Sequence, residues 1–273
     1  MDGVTGDSAS PGQTESEAWR QLLTDGHKPM RIMRRFFRIM PGPPRCKVCS
    51  NPFAGPGGKL CKIAGYTPSR KNPNVCARCC ENLPEGGATV DVGVLFADIR
   101  GATTLGERMP PLQFAGEMSR FYKQTTAVLL NHGAIIDKLT GDGVMALFFL
   151  GVAGKEYRKE ACLAAVELRE RLTKDQRGQP ALPVGIGVHV GEAFVGNIGV
   201  DTVVDFTALG DTVNTAARLQ GLASGGEVVF SATAFESISS EHPTAEARTV
   251  SLRGRQDEIA IRVLPRAVSN PAS

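Results

Sequence analysis

Six of the seven cysteines lie between positions 46 and 80, as Cys46-x2-Cys49, a 26-residue gap holding Cys61, and Cys76-x2-Cys79-Cys80. Two Cys-x2-Cys knuckles at this separation offer Cys46, Cys49, Cys76 and Cys79 as four thiolates that can converge on one tetrahedral Zn²⁺, at about 2.3 Å each. The gap is rich in Gly, Pro, Lys and Arg. It reads as unable to build a core, so a structural metal is expected to fold residues 45–80 as a zinc-ribbon-like module. An iron–sulfur cluster uses the same ligand type, and the extra thiols Cys61 and Cys80 leave that reading open. A disulfide framework is the third reading, disfavoured in the reducing compartment expected for this chain. Cys162 stands apart in an Ala/Leu/Val-rich segment and reads as a small core residue.

Charge divides the chain in the same place. Residues 1–25 hold one Arg against five acids, residues 26–80 hold twelve Lys/Arg and no acid, and residues 81–273 hold 18 bases against 23 acids. Such asymmetry marks separate modules. Residues 1–16 have almost nothing to bury and read as a disordered tail, as do residues 266–273. Residues 17–44 read as helical, broken near Asp25-Gly26 and Pro29. Their second piece sets Ile32, Met33, Phe36, Phe37 and Met40 on one side and Arg31, Arg34, Arg35 and Arg38 largely on another. Such a helix can lie on an anionic membrane surface, or dock on this chain or a partner. Nucleic acid is a poor candidate partner, because Phe53 and Tyr66 are the only aromatics of the cysteine module. No apolar run is long enough to span a bilayer, and the N-terminus lacks the order of a signal peptide, so a cytoplasmic location is expected, with peripheral membrane association through the basic helix.

Residues 81–89 read as a Pro/Gly linker to a domain at 90–265. Val90–Ile99 reads as a buried strand, Pro111–Asn131 as a helix ended by Gly133, and Ala134–Leu139 with Val144–Leu150 as a hairpin turning at Thr140-Gly-Asp-Gly143. Glu156–Thr173 follows as a helix, Val184–Val195 as a glycine-studded strand, and a strand through Thr207 leads into a helix bearing Asn214 and Arg218. Further strands close the chain near Glu227–Phe230, Thr249–Leu252 and Glu258–Val263. The order β-α-β-β-α-β with additional C-terminal elements gives an α+β fold: a ferredoxin-like core, a mostly antiparallel sheet with helices on one face.

On that scaffold Asp98, at a strand end, and Asp142, at the hairpin tip, can face each other. Two carboxylates on rigid elements can hold a pair of divalent ions. Asn214 and Arg218, four residues apart, share a helix face suited to a phosphate and the sugar joined to it.

The segments Phe96-Ala-Asp98-Ile-Arg-Gly101, Lys138-Leu-Thr-Gly-Asp142, Gly187-Val-His-Val-Gly191-Glu-Ala-Phe-Val-Gly196-Asn-Ile-Gly199 and Thr207-Ala-Leu-Gly-Asp-Thr-Val-Asn214-Thr-Ala-Ala-Arg218 resemble, in order, the motif series of class III nucleotidyl cyclases. That resemblance implies that Asp98, Asp142 and the carbonyl of Ile99 hold two Mg²⁺ or Mn²⁺ ions. It implies further that Lys138 and Thr207 read the base, Asn214 orients the ribose, and Arg218 stabilises the transition state. Arg253 stands where relatives often carry a basic residue near the triphosphate. Lys138 can donate to adenine N1 and Thr207 can accept from the N6 amine, so ATP is the expected substrate. The resemblance also implies a homodimer whose composite sites take metal ligands from one chain and base readers from the other. A second class of function is a weakly catalytic cyclase-like dimerisation domain in a nucleic-acid- or membrane-surface-binding regulator. A cyclase joining two GTP molecules is unsupported, since its Gly-Gly-acid-Glu-Phe signature is absent.

Overall fold

The computed structural model describes residues 11–24, 28–80, 83, 85–173, 181–200, 203–252 and 258–266. Helices α1 (Pro11–Leu23) and α2 (Lys28–Ile39) lead into the cysteine module, which carries α3 (Gly55–Ile63) and a single 3-10 turn, Ala77–Cys79. Strand β1 (Gly86–Ile99) is followed by α4 (Ala102–Arg108), α5 (Pro111–Asn131), β2 (Ile135–Leu139), β3 (Gly143–Phe148), the short α6 (Leu150–Ala153) and α7 (Tyr157–Leu172). Then come β4 (Val184–Val200), β5 (Val203–Leu209), α8 (Asp211–Leu222), β6 (Val228–Ser231), the short α9 (Ala232–Phe235), β7 (Glu246–Ser251) and β8 (Glu258–Leu264).

The strands form one sheet in the order β2-β3-β1-β4-β6-β8-β7, with β5 paired to the far end of β4. The first four strands thus have the expected ferredoxin-like arrangement, and β4 with β6 is the one parallel pairing among the described strands. Strand β1 is buried on both faces. Leu95, Ala97 and Ile99 join Met118, Phe121 and Leu129 of α5 and Leu168 of α7 in one core. Val90, Val92 and Val94 point the other way, into a second core with Ile135, Leu147, Phe206, Trp19, Leu23, Phe37 and the module cysteines.

That second core corrects the expectation of helices on one face only. A near-continuous apolar strand reads equally as one-sided or two-sided until its partners are known. Two boundaries shift with it, and the cysteine module gains a core. Helix α1 begins at Pro11, inside the tail expected to be disordered, and its Trp19 and Leu23 are buried against the sheet. Strand β1 begins at Gly86, inside the expected linker, because Gly86 and Gly87 pair with Asn197 and Gly196. A Cβ on Gly87 would sit 2.5 Å from the Val195 carbonyl oxygen, so small residues here extend the strand instead of ending it. The module, expected to lack a core, packs Val48, Val75 and its cysteines into the sheet's second core. The C-terminal residues 267–273 lie outside the described residues.

Helix α2 divides its apolar residues between two faces. Phe37 is buried with Met33 and Met40 partly so, whereas Ile32, Phe36 and Ile39 are exposed. Arg34 leaves the expected basic side and donates from Nε to the Val48 carbonyl. None of the described helices is long and apolar enough to cross a membrane.

Candidate active site

The described candidate residues sit near strand ends, at the hairpin tip and on α8. Asp98 stands opposite Gly143 in the β1–β3 register, and Ile99 N–H donates to the Asp142 carbonyl at 3.0 Å, which ties the hairpin tip to the end of β1. Gly141 at φ +72° makes the tip turn, and the Tyr122 hydroxyl of α5 donates to its carbonyl. A Cβ on Gly143 would lie 3.0 Å from Asp98 Oδ2, so glycine leaves that carboxylate room.

Asp98 and Asp142 come together as expected. Asp98 is half-buried, and its carboxyl is pushed up to about 6, first by loss of water and then by the neighbouring Asp142 charge, with Arg100 opposing. Two carboxylates brought together at a strand end form a donor set suited to hard divalent cations, whose charge would offset the Asp142 charge that raises Asp98.

Lys138 and Thr207 also meet, through a residue that the motif reading passed over. Asp137 is 3% exposed, and its Oδ2 accepts from Thr207 Oγ1 at 3.1 Å and lies 3.3 Å from Lys138 Nζ. Burial raises the Asp137 carboxyl above the usual range, against the pull of Lys138, Thr207 and Lys71. Lys71 belongs to the cysteine module. Its Nζ reaches the Asp205 carboxylate and donates to the Phe206 carbonyl at 2.7 Å, and its own carbonyl accepts from Ile136 N–H at 3.2 Å. The module therefore clasps the two strands that carry Lys138 and Thr207. Phe206 is buried beside Phe149.

Asn214 and Arg218 lie on one face of α8, Asn214 exposed and Arg218 half-buried, while Thr212, Thr215, Ala216 and Leu219 are buried on the other side. The glycines of β4 explain how the helix sits. A Cβ on Gly187 would be 2.2 Å from Gln220 N and 2.7 Å from the Ala216 carbonyl oxygen, so helix backbone lies directly on strand backbone. No hydrogen bond or ion pair among the described residues joins the Asp98–Asp142 pair to Thr207, Asn214 or Arg218. Arg253 lies outside the described residues.

In the cysteine module, the sulfurs of Cys46, Cys49, Cys76 and Cys79 all lie within 4.8 Å of one another, and all four residues are buried. A tetrahedron of about 2.3 Å bonds needs sulfurs roughly 3.8 Å apart, and Cys49 and Cys76 stand at 3.7 Å. Cys46 Sγ accepts from the N–H groups of Cys49 (3.4 Å) and Cys76 (3.3 Å), and its pKa is held low by the surrounding thiols, while those of Cys76 and Cys79 are driven up. Four buried sulfurs confined this closely are a set that a cation would convert to thiolate ligands. Cys61 and Cys80 are buried nearby but outside this quartet. Cys162 is a core residue as expected, its Sγ 3.2 Å from the Ala234 carbonyl and its thiol pushed up to about 12 by burial.

Comparison with known proteins agrees with this architecture. Residues 87–264 match the family model described as adenylate and guanylate cyclase catalytic domain. An adenylate cyclase of Anabaena cylindrica is 32% identical over 167 residues, 58% of this chain and 32% of that protein. Adenylate cyclase 1 of Rhizobium meliloti (strain 1021) is 34% identical over 137 residues, 48% of this chain and 21% of that protein. The chain thus spans a third or less of the length of these two relatives. Among solved structures, the guanylyl cyclase Cya2 superposes with a TM-score of 0.56 at 26% identity, covering 69% of this chain and 99% of that one. The adenylyl cyclase CyaB from P. aeruginosa shares the fold, with a TM-score of 0.57 at 24% identity, covering 67% and 98%. On the family match, carried by the whole of the sheet described above, the chain belongs to the adenylate and guanylate cyclase catalytic-domain family.

Proposed function

We propose that this protein is an adenylate cyclase, converting ATP to 3′,5′-cyclic AMP and pyrophosphate by attack of the ribose 3′-hydroxyl on the α-phosphorus. The observation that carries the proposal is the convergence of Asp98 and Asp142 beside a strand end, close enough for the Asp142 charge to raise the Asp98 carboxyl. Asp98, Asp142 and the Ile99 carbonyl would hold two Mg²⁺ or Mn²⁺ ions, which when bound supply a lowered 3′-hydroxyl pKa and neutralise triphosphate charge. Arg218 would donate to charge growing on the α-phosphoryl group, where a preorganised donor is worth most. Asn214, one turn earlier, would hold the ribose so that its 3′-oxygen stays in line. Lys138 and Thr207 would read the adenine edge.

Because no hydrogen bond or ion pair among the described residues joins the carboxylate pair to Thr207, Asn214 or Arg218, we read one complete site as lying between two chains, each lending one half. The cysteine quartet would hold a single structural Zn²⁺, its compact sulfurs suiting one ion better than a larger cluster. Through Lys71 the module would fix strands β2 and β5 and so govern how the halves meet. The exposed Ile32, Phe36 and Ile39, with Arg35 and Arg38 beside them and no acid between residues 26 and 80, favour an anionic membrane surface as the partner of α2. A second copy of so basic a surface would be repelled.

The test is turnover of ATP and GTP with Mg²⁺ or Mn²⁺, with zinc analysis on the same sample. Cyclic AMP formation that exceeds cyclic GMP formation is expected. A metal-supplied protein that leaves ATP unchanged would contradict the proposal.

A further inference from the structure

Asp137 lies at an irregularity of β2, where the register to β3 shifts between Ile136 and Lys138. Bulges of this kind re-aim side chains and recur beside active sites. Here the extra residue turns a carboxylate inward, buried against β5, while Lys138 folds back so that its Nζ lies 3.3 Å from Asp137 Oδ2. Thr207 Oγ1 lies 3.1 Å from the same oxygen. Lys138 can only donate, so the shared oxygen is an acceptor toward both neighbours, and the Thr207 hydroxyl proton is committed to it. What Thr207 then offers a ligand is a lone pair.

We propose that Asp137 is a positioning residue that sets the choice of adenine over guanine by fixing the direction of the Thr207 hydroxyl. This rests on the adenylate cyclase reading above, and extends it from the residues that meet the base to the one that orients them. A hydroxyl held as an acceptor matches the N6 amine of adenine, a donor, and opposes O6 of guanine, an acceptor. Lys138, with one N–H directed at Asp137, keeps others to donate to N1. A threonine without that partner can rotate to donate, and would serve either base.

The experiment compares kcat/KM for ATP and GTP in wild type, Asp137→Leu, Asp137→Asn and Thr207→Val, and in the Asp137→Leu/Thr207→Val double variant. The expected result is a fall of roughly tenfold or more in the ATP-to-GTP ratio for Asp137→Leu, the scale of one mispaired buried hydrogen bond. Asp137→Asn, whose carbonyl oxygen can still accept, should keep most of the preference. In the Thr207→Val background the Leu substitution should change the ratio no further, because the hydroxyl it orients is gone. Asp137→Ala carries the same comparison if the Leu variant does not fold. An unchanged ratio in Asp137→Leu or its Ala substitute, or an equal fall with and without Thr207, would overturn the inference while leaving the cyclase reading intact. A wild type silent toward both nucleotides would overturn the cyclase reading itself.

Discussion

At the scale of single residues, the candidate site is held together by carboxylates in unfavourable company. Asp98 is pushed up to about 6, so the metal-free protein binds a proton there that the unfolded chain releases nearer 3.8. Stability contributed by that difference is present at low pH and lost as pH rises through about 6, because the folded state is the one that holds the proton. Metal-free Asp98→Asn should therefore melt above wild type at pH 7, and the advantage should vanish below about pH 4. Thermal melts of both proteins across that range would check it, and equal melting at pH 7 would count against the repulsion. Saturating Mn²⁺ should reverse the order, since only wild type keeps both carboxylates. Asp98 and Asp142 were legible as neighbours because hairpin topology places them, and Lys138 with Thr207 through the family resemblance alone. Asp137 was not legible. A bulge is a departure from alternation, and alternation is what a strand's sequence reports.

At the scale of elements, the chain's long periodic segments declared themselves and its contacts between segments did not. Helix α5 follows its apolar spacing over Pro111–Asn131, and the hairpin of β2 and β3 follows its glycine turn. By contrast, the glycines of β4 mark a helix lying on the strand, which no local pattern reveals. Gly187→Ala should cost about 1–3 kcal/mol or more in denaturant unfolding, because its Cβ meets backbone atoms of α8 that cannot step aside. Gly116→Ala, in α5 with nothing within 4 Å of the added Cβ, should instead stabilise by about 0.5–1 kcal/mol. Similar effects at both sites would contradict the close approach of α8 to β4. The cysteine module adds a prediction of its own. Its cysteines share a core with β1 and β3, so chelator treatment of protein supplied with Zn²⁺, or Cys76→Ser, should lower Tm by on the order of 10 °C instead of unfolding a detached appendage. A calorimetric trace with an unchanged main transition would show the module to be independent.

At the scale of the whole molecule, the N-terminal third and the sheet form one packed body. The charge asymmetry that divides the sequence into modules says nothing about whether those modules dock, which is why the packing of α1 on the sheet and the module's core were missed. The basic, apolar face left on α2 should draw the protein to vesicles containing anionic lipid. Phe36→Ser or Ile39→Ser should weaken that binding by about tenfold, and zwitterionic vesicles should bind poorly. Equal binding to both vesicle types would remove the membrane from the account.

The central claim is that two chains share each catalytic site, with the carboxylates from one and the α8 surface from the other. Mixing Asp98→Ala chains with Asn214→Ala chains tests it most directly, because each variant alone lacks one half in both sites, and a mixed dimer holds one intact site. The account predicts that cyclic AMP formation, absent from either variant alone, returns on mixing to about a quarter of the wild-type rate if chains exchange at random, since about half the dimers are mixed and each carries one site of two. No recovery after demonstrated exchange of chains would contradict it.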